Sequence, residues 1–143
     1  MTTARVHWRD AVAVLLGLAA VGIALYLTIV HYRHDLLVCS TGGCETVQNS
    51  KYATIGPIPI AILGLASSAM MLGAAIVRIV RRDLIFPATV VIFALAAIGF
   101  GYELYLTYVE IWVIDAICQW CVAFAAVTTV WMLLELWRLW DEL

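Results

Sequence analysis

The sequence predicts an all-α integral membrane protein: a bundle of four transmembrane helices with an extracytoplasmic, cysteine-bearing loop. Three observations predict it. Hydrophobic residues make up 65% of the 143 residues and charged residues 13%, where ordinary globular domains have roughly 45–50% and about 25%. The mean hydropathy is +1.01, which is more apolar surface than a chain of this length can hide from water. The apolar residues also fall into four runs of about 20 residues or more, and at ~1.5 Å per residue each can cross the ~30 Å hydrocarbon core. This composition excludes a nucleic-acid binder, a disordered tail and a secreted mini-protein. The formal net charge of −2 points to no strongly acidic or basic partner.

The chain reads as a single membrane domain over residues 1–143. The first span covers about 11–30, after the polar head from Arg5 to Asp10. Its apolar core is too long for a signal peptide and no small-x-small cleavage site follows, so it reads as a retained anchor. An outer loop covers 31–57. The second span covers about 58–77, with Pro59 near its start, and an inner loop covers 78–83. The third span covers about 84–108, with Pro87 in its first turn, where a missing N–H does no harm. An outer link covers 109–115, and the fourth span covers about 116–138. Small residues recur on helix faces: Ala13, Gly17, Ala20 and Ala24 in the first, Ala97 and Gly101 in the third, Ala123 and Ala126 in the fourth. Such faces let helices approach closely in lipid.

Basic residues orient the bundle. Arg5, Arg9, Arg78, Arg81, Arg82 and Arg138 share one side, and only Arg33 and Lys51 lie on the other. Both termini are therefore expected in the cytoplasm, as in a multi-pass plasma or inner membrane protein. Cys39, Cys44, Cys118 and Cys121 then all face the extracytoplasmic side, where disulfides persist.

These four cysteines carry the chemistry. Cys118-Gln119-Trp120-Cys121 is a C-x-x-C at a helix start. Its sulfurs can bond within one turn, and the helix N-terminus favours a thiolate on Cys118. Cys39 and Cys44 form a second pair, with Gly42 and Gly43 between them to turn the chain back. A water-exposed pair and a pair at the membrane boundary can hand electrons from a soluble thiol to a lipid-dissolved acceptor by successive thiolate attacks. Two structural disulfides, or a four-cysteine metal site, remain alternative uses of the same residues.

The order of these features resembles the vitamin K epoxide reductase family: a helix, a loop with a cysteine pair, two helices, then C-x-x-C opening the last helix. The finer pattern is also similar. After Cys44 come Val47, Ser50 and Tyr52, at family spacing, then Gly56-Pro57-Ile58-Pro59 before the second span and Gly64 within it. The resemblance covers nearly the whole chain.

It implies a membrane thiol–disulfide oxidoreductase. Cys39 would exchange with a thioredoxin-fold thiol oxidase and Cys44 would attack Cys118. Cys121 would reduce a quinone (ubiquinone, menaquinone or vitamin K), in support of disulfide formation and with no metal. Ser50 and Trp120 are the candidate quinone neighbours: Ser50 also reads as a plain loop or cap serine, and Trp120, inside the C-x-x-C, stands apart from the aromatic belt that explains its neighbours. The chain ends at Leu143 without the fused thioredoxin-like domain of many prokaryotic relatives, so the partner is expected to be a separate protein.

Some residues depart from the family pattern. Only four residues separate Cys39 from Cys44, fewer than the family commonly has. Vertebrate members hold the quinone oxygens with an Asn at the start of helix two and a Tyr four residues past the last cysteine. Here Ala125 stands at the second position, and apolar residues or Pro surround Ile58 to Ile62. Quinone reduction is therefore expected ahead of epoxide reduction. A non-catalytic membrane module with structural disulfides is the remaining alternative. The other bacterial four-helix, quinone-coupled disulfide former places its C-x-x-C in the first outer loop, the reverse of the order here.

Other polar and aromatic residues are weaker candidates. His31 and His34 have a chelating spacing, but only Asp35 lies nearby and they read as interfacial. Trp112, Tyr102, Tyr105 and Tyr108 read as an outer aromatic belt, and Trp131, Trp137 and Trp140 as an inner one. Glu103 is an acid within the third span and so a functional candidate, unless it simply reaches the headgroups.

Overall fold

The computed structural model describes residues 8–33, 35, 46, 51 and 54–142. Cys39, Cys44 and Ser50 lie outside the described residues. Among the described residues, four helices are long and apolar enough to cross a membrane. They are α1 (Trp8–Tyr32), α2 (Ile60–Val80), α3 (Ile85–Val109, with the chain helical from Arg82 to Ile114) and α4 (Gln119–Glu142).

Helix α1 packs with the small-residue face that the sequence marks. Its buried residues are Asp10, Ala13, Gly17, Ala20, Ala24, Leu27 and Val30, a spacing of three and four that puts them on one stripe. A Cβ on Gly17 would stand 2.8 Å from Leu72 Cδ1 and 3.0 Å from Trp131 Cη2, so glycine sets how closely α2 and α4 approach α1. The shared core is Ala20, Met71, Ala75, Ile92, Ala96 and Trp131.

Trp131 corrects the sequence reading. It is fully buried rather than a belt residue, because the cleft that Gly17 opens accepts its ring. Trp137 and Trp140 are exposed, as a belt requires. The small pairs of α3 and α4 also differ from expectation. Gly101 has nothing within 4 Å of where a Cβ would stand, and Ala126 is exposed. Helix α3 packs instead through Ala88, Thr89, Ile92 and Ala96.

The all-α expectation needs one addition. Thr54–Ile55 (β1) and Ile58–Pro59 (β2) form a small antiparallel hairpin, with Thr54 opposite Pro59 and Ile55 opposite Ile58. Gly56 turns the chain at φ +61°, a conformation glycine adopts without steric cost. Pro59, at φ −63° and ψ 139°, is extended and caps α2, so the helix starts at Ile60 rather than 58. Residues 109–115, expected as a link, are mostly helical: Glu110–Ile114 continues α3 as a π turn. The true link is the short non-helical stretch 115–118, and α4 accordingly starts at Gln119 rather than 116.

One end of the bundle carries a buried ionic network. Arg78 of α2, fully buried, donates to both carboxyl oxygens of Glu135 of α4 at 2.6 and 2.7 Å and to Thr89 Oγ1 of α3 at 3.1 Å. Trp131 Nε1 donates to Glu135 at 3.1 Å. Asp10 of α1, also fully buried, lies 3.0 Å from both Arg82 Nη1 and Arg138 Nη1. Charges of α1, α2 and α4 thus meet in bidentate or charge-assisted geometry, and α3 joins them through the Thr89 hydroxyl.

Candidate active site

The Cys118 end of the bundle is built by an unusual helix ending. The π turn of Glu110–Ile114 carries one extra residue per hydrogen-bonded turn, and the Ala116 N–H returns to the Glu110 carbonyl at 3.0 Å. Asp115 then sits in the left-handed region at φ 56°, and the chain leaves the helix into the short link to Cys118. The reversal delivers the C-x-x-C directly beside the end of α3.

Cys118 acts as the N-cap of α4. Its Sγ accepts the N–H of Cys121 at 3.3 Å, and its carbonyl accepts the N–H of Val122 at 3.0 Å. A sulfur here does what Ser or Asp oxygens do at ordinary helix starts. Cys118 and Cys121 are both present as thiols rather than as a disulfide. A hydrogen bond from the Cys121 thiol, and then the Cys121 backbone N–H, hold the Cys118 thiol below its ordinary pKa, against burial and the nearby Glu110 carboxyl. The helix-start stabilisation that the sequence implies is therefore present in the geometry.

The two sulfurs occupy different surroundings. Cys118 is fully buried and clusters with Leu27, Ile23 and Ala61. Cys121, one turn further along α4, lines a cavity of about 310 Å³ between the helices. Ala24 and Leu27 of α1, Gly64 and Met71 of α2, and Phe124 and Ala125 of α4 give that cavity a largely apolar wall. Its polar lining includes Ser67 and Ser68 of α2, Glu103 and Glu110 of α3, and Thr128 of α4. Glu110 is nearly fully buried, and its carboxyl accepts a hydrogen bond from the Cys118 backbone amide. Glu103 meets the Thr128 hydroxyl at 2.8 Å.

Trp120 stands elsewhere. Its ring packs against Tyr26 of α1 with centroids 4.9 Å apart, and it is not among the residues lining the cavity. Neither His34 nor the loop cysteines lie within the described residues, so the His31–His34 spacing and the loop pair are not placed. Tyr102 lines the cavity and leans on Tyr105 at 5.9 Å. Glu110 is the site residue that sequence reasoning missed. Its signal was its place seven residues after Glu103, two turns along the same face of one helix.

The model of the vitamin K epoxide reductase family matches residues 11–136. The chain belongs to that family. The match covers all four helices and both cysteine pairs, and it makes the protein a multi-pass membrane oxidoreductase of a quinone-linked family. No curated protein matches the chain. Within a vitamin K epoxide reductase frame, a flat ring with two carbonyl oxygens fits the cavity: the volume is that of a small ligand pocket, the wall is largely apolar, and a thiol and two carboxyls reach it.

Proposed function

We propose that this protein is a quinone-linked thiol oxidase that supports disulfide formation outside the cytoplasm. Cys39 takes electrons from the dithiol of a separate thioredoxin-fold protein. Cys44 then attacks Cys118 and passes the electrons to the Cys118–Cys121 pair. Cys121 is the donor to a membrane quinone, which supplies the two-electron acceptor when bound. Both termini lie in the cytoplasm, and Ser50 is a candidate quinone neighbour.

The single observation that carries this reading is the position of Cys121. Cys121 lines the apolar cavity, while its partner Cys118 is held below the ordinary thiol pKa at the helix cap. A structural disulfide needs no ligand-sized space beside it. The wall at Ala125 presents a methyl group where a hydroxyl could have served, which supports plain quinone reduction over epoxide reduction.

The test is anaerobic mixing of the pre-reduced, detergent-purified protein with a short-chain quinone, following quinol and free thiols together. The expected result is two thiols lost per quinol formed. Cys121→Ser abolishes quinol formation, whereas Cys39→Ser blocks only electron uptake from the protein partner and still turns over with a small reductant. Thiols that persist with no quinol formed, in folded protein, overturn the reading.

A further inference from the structure

The polar side chains of the cavity differ in what they have left to give. Ser67 and Ser68 donate their hydroxyl hydrogens back to the Gly64 carbonyl, at 3.1 and 2.7 Å. Glu103 and Thr128 face each other from α3 and α4, and the Thr128 oxygen lies 2.8 Å from both carboxyl oxygens. The same oxygen lies 3.0 Å from the Phe124 carbonyl and 3.2 Å from the Ala125 carbonyl. One hydroxyl hydrogen cannot serve four acceptors. Thr128 donates to the Glu103 carboxylate when that group is ionised; when Glu103 carries a proton, it donates that proton to Thr128 Oγ1 and Thr128 donates to its own helix, so the pair is satisfied in both states and can hold or release a proton. The surroundings agree with a proton held at this point: α1 contributes Ala24 and Leu27, α2 its two serines, α4 Cys121 and Thr128, and α3 itself Tyr102 and Glu110. Among the described residues no Lys, Arg or His lines the cavity.

We propose that Glu103, positioned by Thr128, donates a proton to a carbonyl oxygen of the quinone that Cys121 reduces. The inference rests on the quinone-linked reading above. Oxidation of the Cys118–Cys121 dithiol breaks two S–H bonds, forms one S–S bond and releases two electrons and two protons. Conversion of quinone to quinol takes up both electrons and forms two O–H bonds. Glu103 gives one proton to one quinone oxygen and regains one from the dithiol, so the carboxyl ends as it began; the other proton of the dithiol goes to the second quinone oxygen. Glu110 supports that return: it lies about 10 Å along the same face of α3, lines the same cavity, and contacts the Cys118 amide.

The experiment uses the reduced full chain with decylubiquinone, comparing Glu103→Gln, Glu103→Asp and Thr128→Val with the wild type. Single-turnover quinol formation is followed against pH. Binding is followed separately by infrared difference spectroscopy of the carboxyl C=O stretch in a Cys118→Ser/Cys121→Ser protein, which binds without turnover. Glu103→Gln is expected to bind decylubiquinone within about threefold of the wild type but to slow quinol formation about a hundredfold or more, the scale of lost general acid catalysis. Glu103→Asp recovers part of the rate. Thr128→Val displaces the pH profile and shifts the carboxyl band. A Glu103→Gln protein with wild-type rate and pH profile overturns the proposal, as does a carboxyl region that decylubiquinone leaves unchanged. If Glu103→Gln does not fold, the infrared result and Thr128→Val still decide. A wild-type protein that keeps its thiols and forms no quinol removes the quinone-linked reading itself, which is a different outcome from an active protein indifferent to Glu103.

Discussion

Cys118 joins two roles in one atom: its sulfur caps α4 and, in the proposed relay, is the sulfur that Cys44 attacks. The hydrogen bonds from Cys121 lower its pKa, so more of it is thiolate at neutral pH than for an ordinary cysteine near 8.5. In a Cys39→Ser/Cys44→Ser protein, the first step of thiolate absorbance is therefore expected below pH ~8.5. Cys121→Ala removes the thiol donor but leaves the backbone N–H, so the step should move up in pH without reaching the burial-limited extreme. A first step that stays put in Cys121→Ala means that the thiol–thiol hydrogen bond contributes nothing. This behaviour was legible in the sequence because it is local: a C-x-x-C at a helix start has its capping partner three residues away. The pairing of Glu103 with Thr128 was not legible, because 25 residues separate them and only helix packing brings them together.

At the scale of single elements, α1 and the end of α3 matter most. Gly17 is the close-approach point of α1, where an added methyl meets Leu72 and the buried ring of Trp131. Gly17→Ala is expected to lower stability by about 1–3 kcal/mol, the usual cost of overpacking. Gly22→Ala, with open space around it, should be neutral or slightly stabilising, since alanine is the better helix former. Thermal unfolding of both variants in one detergent checks the contrast, and equal midpoints would remove Gly17 from the packing argument. Helix α3 shows the opposite limit of sequence reading. Its apolar run gives the span clearly, but the π turn at Glu110–Ile114 and the left-handed Asp115 follow from where α4 must begin, which no residue in the run announces. Asp115→Gly should be tolerated, because glycine adopts that backbone freely, while Asp115→Val should lose about 1–2 kcal/mol on steric grounds. Cys118–Cys121 reactivity in the two variants would show whether the turn aims the dithiol.

Across the whole molecule, the two ends of the bundle are specialised. The Cys118 end holds the cavity. The other end, about 25 Å away along α4, holds the network of Arg78, Glu135, Asp10, Arg82 and Arg138. Breaking one partner of a buried ion pair leaves the other charge uncompensated, so Glu135→Ala is expected to destabilise the protein by about 3–5 kcal/mol. The double change Arg78→Met/Glu135→Leu should recover much of that loss, because no charge is then stranded. Chemical denaturation of the three proteins measures this, and a double variant as unstable as the sum of its singles would show that the pair is not coupled. Surface salt screening should matter little, because Arg78, Asp10 and Glu135 are fully buried.

The sequence by itself determined the solvent, the number of spans, the packed face of α1 and the redox-type spacing of Cys118 and Cys121. Those properties reside in composition and in patterns of three to four residues, which a helix converts directly into a face or a cap. It also carried the family, since motif order survives without coordinates. Tertiary structure alone decided that Arg78, which the sequence marks only as one of the orienting basic residues, binds Glu135, 57 residues away. It alone turned Trp131 inward, and it set Glu103, Glu110, Thr128 and Cys121 around one cavity. The physical reason is common to all of these: a side chain's partners in a bundle come from other helices, and their register is set by which faces pack.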